Sequence, residues 1–210
     1  MIITISRQYG AGGSEVARRV AEALGWRVVD NELVDRVASR AGLPPEEVAE
    51  REERAPGFME RLSRALSRMS PELFPAAADK VPEPEEDTLV KVTEAVVAEI
   101  AAEGRVVMVG RAGPAVLRGK HDALHVKLVA TPAVRVARTM ERLGVDLKEA
   151  EKAMQEADTN RARYLKQHYG LDWNDSTNYH MVLNSGMLGL DGVTELIAAR
   201  ARKMWPAMPV

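Results

Sequence analysis

A chain of 210 residues, 46% hydrophobic and 29% charged, can bury the core of one α/β domain with a small insertion. It has no cysteine, which excludes a disulfide framework and thiolate-held metals or clusters, and its four histidines show no tight pairing that would suit structural zinc. A net charge of −2 argues against a long nucleic acid as partner.

Along the chain, Ile2-Ile3-Thr4-Ile5 is a β-branched run that leads into a glycine-rich turn. That opening lacks the basic and long apolar regions of a signal peptide. No apolar run approaches the ~20 residues that span a bilayer, so the reading is a cytoplasmic protein with no membrane contact. Val16, Ala17, Val20, Ala21 and Leu24 recur at helical spacing, and Gly25 follows as a C-cap. Arg27–Asp30 reads as a second strand, and residues 32–41 as a helix that stops before Pro44-Pro45. Residues 44–70 read as two helices of an inserted cap, broken at Pro56-Gly57. Residues 71–87, with four prolines and a run of acids, read as the least ordered linker.

Leu89–Ala102 returns to helical spacing, and Val106–Val109 is a strand buried on both faces. Leu124–Ala130 is a further strand, and Pro132 opens a helix to about Leu143. Asp146–His168 is a long polar helical stretch of one or two helices, His180–Asn184 a last strand and Gly192–Lys203 a last helix. Strands alternating with helices predict a parallel sheet with helices on both faces. Charge is uneven: Arg111–Arg142 holds seven Lys or Arg against two acids. A local basic block in a near-neutral chain suits a small phosphorylated ligand, or is a solvated helix face.

The strongest chemical signal lies between the first strand and first helix, at Ser6-Arg7-Gln8-Tyr9-Gly10-Ala11-Gly12-Gly13-Ser14. Glycines let the backbone turn tightly and aim its N–H groups inward, and the helix N-terminus adds partial positive charge, so Gly10, Ala11, Gly12, Gly13 and Ser14 form an anion cradle. Against the phosphate-loop pattern G-x-x-x-x-G-K-[ST], Gly12 and Ser14 fit; Arg7 stands for the first glycine and Gly13 for the lysine. The Ser14 hydroxyl falls where it can reach Mg²⁺. Without that lysine another cation has to approach the phosphates of ATP, and Arg7 at the loop entrance is one candidate. Asp30, at the carboxyl end of the second strand, suits sugar hydroxyls, a Mg²⁺-bound water, or an N-cap for the next helix. Arg111, between two glycines after the buried strand, suits bidentate phosphate binding. Arg135, Arg138 and Arg142 share one helix face.

These segments together are similar to the cytidylate kinase-like family. The likeness runs through ISRQYGAGGSEVARRVAEALGWRVVDNELV, VVMVGRAG, the helix with Arg135 and Arg138, and DTNRARYLKQHYGLDWNDSTNYHMVLNS, but not through residues 44–87. Members show a similar S-R-x-x-G-x-G-G turn without the usual lysine. The resemblance implies a three-layer P-loop fold with a five-stranded parallel sheet in order 2-3-1-4-5, a monophosphate-binding insertion at about 43–87 and a lid at about 146–178. It implies transfer of the ATP γ-phosphate to a nucleoside monophosphate, with CMP the acceptor, and Asp30, Arg111, Arg135 and Arg138 meeting that acceptor. The family's residue after the Gly-Arg pair is usually Asp; here it is Ala112. Asp158, Arg161, Arg163 and Lys166 resemble the lid, whose cations close over the phosphates; Arg161 and Arg163 point to nearly opposite helix faces. On numbers, the lid is the favoured source of the missing charge. Trp173, Asp175, Asn178 and Tyr179 fall near the donor base or the lid hinge, or pack onto the core. A nucleotide-binding regulator without turnover, or a kinase of another small metabolite, are the competing readings.

Overall fold

The computed structural model describes residues 1–30, 86–110 and 112–206. The expected helix at 32–41, the cap at 44–70 and nearly all of the linker at 71–87 lie outside them, as does Arg111. Five strands form one all-parallel sheet: β1 (Ile2–Arg7), β2 (Arg27–Val29), β3 (Val106–Val109), β4 (Ala123–Val129) and β5 (Met181–Asn184), in the order β2-β3-β1-β4-β5. This is the order that the sequence led us to expect. β1 is central, so its side chains are covered on both faces and its run of Ile2, Ile3 and Ile5 is completely buried.

Period-two alternation divides the strands between two cores. Ile3, Ile5, Val107, Val126 and Leu128 face α1 (Gly13–Leu24) and, further along the chain, α6 (Gly189–Met204). Ile2, Val106 and Met108 face the other way, against Val96, Val97 and Ile100 of α2 (Glu86–Glu103). Each fully buried Val or Ile contributes roughly 1.5–3 kcal/mol, so these two layers hold the frame that carries the loops. Helix α2 begins earlier than its apolar spacing suggests, because Glu86 and Asp87, read as the end of the linker, form its first turn.

Three more helices sit beside the sheet. The short α3 (Gly113–Val116) follows β3, with Pro114 in its first turn; the sequence reading did not foresee it. Helix α4 (Pro132–Leu143) packs on α5 (Leu147–Tyr169), a single helix capped by Asp146, whose carboxylate accepts from the Glu149 N–H at 2.8 Å. No helix of the described residues is long and apolar enough to cross a membrane.

β4 carries one imidazole, His125, and a second, His180, immediately precedes β5. The His125 ring stacks on the His180 ring at 5.1 Å, its Nδ1 is 2.8 Å from Thr4 Oγ1, and the His125 N–H donates to His180 Nδ1 at 2.8 Å. Burial, helped by the neighbouring His180, pushes His125 down from the ordinary 6.5 to about 4. Between those values the unfolded chain binds a proton that the folded chain refuses, so stability falls as pH drops through that window. The expected loss at pH 4 from this one group is about 3 kcal/mol. Thermal unfolding from pH 7 to pH 4 should show a steeper decline in the wild type than in His125→Gln; parallel profiles would contradict the assignment.

Candidate active site

The loop between β1 and α1 is built by glycines under tight neighbours. Gly10 has φ +77, and a Cβ there would come within 2.6 Å of the Arg135 carbonyl oxygen, which is backbone and cannot yield. Gly12 caps α1 without a side-chain hydrogen bond, and the first intrahelical bond is Val16 N–H to Gly12 O at 3.0 Å. The N–H groups of Gly13, Ser14 and Glu15 precede it, so they have no intrahelical acceptor and point out of the helix end. The turn read as an anion cradle stands at the carboxyl end of the central strand, where open α/β sheets place their ligands.

Arg7 is positioned by two glycines. A Cβ at Gly13 would lie 2.6 Å from Arg7 Cγ and 3.2 Å from its Cδ, so the arginine stem runs directly over the place where a phosphate-loop lysine would begin. A Cβ at Gly110, at the end of β3, would strike Arg7 Nη1. The side chain therefore crosses from the end of β1, over the start of α1, to the turn after β3. It lines a cleft of about 50 Å³, open to solvent, together with Ser6, Gly110, Arg161, Tyr164 and Trp173.

Ser14 and Asp30 meet: Ser14 Oγ donates to Asp30 Oδ2 at 2.8 Å. A hydroxyl and a carboxylate at one helix start are a hard-oxygen pair, which suits Mg²⁺ with water and phosphates completing its shell. Among the described residues no cluster of three or more His, Cys, Asp or Glu could hold a metal by protein ligands alone.

The basic face of α4 meets the phosphate loop through Arg135 and Arg138, and Arg142 at its far end is exposed. Arg135 is buried; its Nε donates to the Tyr9 carbonyl at 2.7 Å and its Nη2 pairs with Asp158. Arg138 donates to Ser185 Oγ at 3.0 Å and to the Ser185 carbonyl at 3.1 Å, and its Nη1 lies 3.6 Å from where a Cβ of Gly12 would stand. Arg142 lies over the Tyr9 ring at 4.6 Å. Asp158 of α5 also accepts from the Tyr9 N–H at 2.8 Å, so one carboxylate ties α5 to the loop. Of the α5 cations that the sequence reading put on a lid, Arg161 reaches the cleft, 3.4 Å from the Arg7 carbonyl oxygen and 3.5 Å from Asp158. Arg163 is half-buried and Lys166 exposed, and neither is among the residues that line this cleft.

The stretch after α5 packs inward. Trp173 is buried, its Nε1 donating to Ser6 Oγ at 3.0 Å, and Tyr179 OH donates to the Trp173 carbonyl at 3.0 Å. Both hold a residue that the sequence reading passed over. Lys127 lies in the middle of β4, and its Nζ donates to the Trp173 carbonyl at 2.5 Å and to Asn174 Oδ1 at 3.1 Å, 4.1 Å from the Trp173 ring centre. Burial pushes this ammonium down from 10.5 to about 8, partly offset by Asp158 and Asp172. Its signal was visible: a lysine among Leu124, His125, Val126 and Leu128 has to find acceptors inside the fold.

Comparison with known proteins agrees with this architecture. The chain is 28% identical over 201 residues to a cytidylate kinase from Archaeoglobus fulgidus, covering 94% of this chain and 92% of that one. In structure it is similar to an uncharacterised protein from Eubacterium ventriosum (TM-score 0.68, 21% identity, 96% of this chain and 98% of that chain). A shikimate kinase from Bacteroides thetaiotaomicron shares the fold more distantly (TM-score 0.52, 15% identity, 98% of both chains). The model of the cytidylate kinase-like family matches residues 2–187, which takes in the phosphate loop, the basic helix, the lid and the last strand: the chain belongs to that family.

Proposed function

We propose that this protein transfers the γ-phosphate of ATP to a nucleoside monophosphate, and that the acceptor is CMP. The observation that carries the reading is the position of Arg7, between an open helix N-terminus and an aromatic-walled cleft. Phosphoryl transfer needs little covalent help from a protein; it needs two phosphates in line and positive charge between them. The N–H groups at Gly12, Gly13 and Ser14 hold the donor phosphates. Ser14 and Asp30 hold Mg²⁺, which when bound neutralises charge on those oxygens. Arg135 and Arg138, which the family resemblance put at the acceptor, are bonded to Tyr9 and Ser185 and in this reading hold the phosphate loop and the turn at Ser185 in place on the donor side, and Arg161 brings the lid's charge to the cleft. Tyr164, Trp173 and Tyr179 wall the acceptor side and exclude water from the transfer. Arg111, from its place in the sequence, binds the acceptor phosphate.

The acceptor is tested by ADP release with ATP·Mg²⁺ and a panel of nucleoside monophosphates and small hydroxyl metabolites. CMP should give the highest kcat/KM. A preference for a non-nucleotide alcohol would refute the nucleotide assignment.

A further inference from the structure

A second concavity lies behind the cleft, around the amino-terminal ends of β4 and β5, and no step of the proposed transfer uses it. It is open to solvent and has a volume of about 450 Å³. Three separate stretches of chain send bases to it: Arg118, Lys120 and His121 from the turn before β4, His180 from the start of β5, and Arg200 from α6. No Asp or Glu lines it among the described residues. The nearest acid in sequence, Asp122, is bonded at 3.2 Å to the Met1 ammonium, and Asp172 and Asp175 accept from Asn174 and Thr177 of their own loop. His125, on the floor, is kept neutral by burial.

Surface charge is ordinarily mixed in sign, and bases gathered in a hollow repel one another unless an anion joins them. A hollow with low-dielectric walls also focuses their field. In a chain whose net charge is −2, this concentration of bases is local. Pro114 and Tyr179 form part of its wall and also part of the wall of the cleft, so the two hollows stand back to back. The hollow is too large for one chloride or phosphate and has an apolar floor at Leu171 and Met204.

We propose that this hollow is a second binding site, distinct from the phosphate loop, for a small molecule carrying two or more phosphoryl charges. The chemistry is that of a pyrophosphate group, whether free or on a nucleoside. The test is a backbone-amide NMR titration of the full chain with pyrophosphate, with CDP in a parallel arm and NaCl of matched ionic strength as control. Lys120, His121, Thr177 and His180 should shift saturably with a Kd of their own. The double variant Arg118→Ser, Arg200→Ser should weaken that Kd by at least about tenfold, since bonds to charged groups are the strong ones, and leave the Kd read at Gly10–Ser14 unchanged. Tighter binding of CDP would assign the site to a nucleotide, and equal or tighter binding of pyrophosphate to the phosphoryl group alone. Shifts confined to Gly10–Ser14, shifts reproduced by NaCl, or an unchanged Kd in the double variant would overturn the proposal. None of these outcomes depends on turnover, so this site and the kinase reading stand or fall separately.

Discussion

Arg7→Ala should lower kcat by about a thousandfold, the scale of an arginine that stabilises charge on a transferring phosphoryl group. KM for ATP should change little, because the contact strengthens in the transition state. The argument is steric as well as electrostatic. At Gly13, the position of the missing lysine, a Cβ would already be 2.6 Å from Arg7 Cγ, so glycine there is what lets the arginine cross. This makes Gly13→Ala informative. Gly13 lies in the first turn of α1 without a positive φ, and alanine at a helical position ordinarily stabilises by a few tenths to about 1 kcal/mol. Here it should displace Arg7 and cut kcat at least about tenfold without lowering Tm, by an expulsion from the site that costs more than 1.4 kcal/mol of barrier. In the Arg7→Ala background, Gly13→Lys should restore part of the lost rate, because the stem no longer fills the path. Arg161→Ala separates this account from one in which the lid supplies the charge. A thousandfold loss there beside a mild Arg7→Ala would move the role to the lid.

Asp158→Ala should be the most destabilising single change at the site. Its carboxylate receives the Tyr9 N–H, the buried Arg135 and Arg161, and so joins α5, α4 and the phosphate loop. Removing one partner of a buried pair leaves the other charge uncompensated and costs roughly 3–5 kcal/mol. At about 2–4 °C per kcal/mol for a chain of this size, Tm should fall by about 6–20 °C. Asp158→Asn, which keeps an acceptor oxygen but not the charge, should lie between. A Tm within 2 °C of wild type for the alanine variant would show that the carboxylate is not the tie described here.

Much of the frame was legible because each strand is an apolar run cut off by glycine or proline, and the phosphate loop because its residues are consecutive. The stripe Arg135, Arg138 and Arg142 was legible as a stripe, but not what covers it. A helical spacing says which side chains share a face, and only the pairing of β1 with β4 brings Tyr9 under that face. Asp158 was legible as a lid acid; its bond to the Tyr9 N–H joins positions 149 residues apart, which no local pattern encodes. The choice between lid and loop as the source of charge was weighed by counting cations, which favoured the lid. Packing favours Arg7, because the slot between Gly13 and Gly110 is a tertiary feature that neither glycine announces alone.

The central claim is that phosphate moves from ATP to a nucleoside monophosphate on this chain. The most direct measurement is ³¹P NMR of a reaction with ATP, Mg²⁺ and CMP, following both products at once. CDP and ADP should accumulate in equal amounts, and both should vanish in Arg7→Ala. ATP that binds but is neither transferred to CMP nor to any other nucleoside monophosphate would contradict the account, leaving a nucleotide-binding regulator in place of an enzyme.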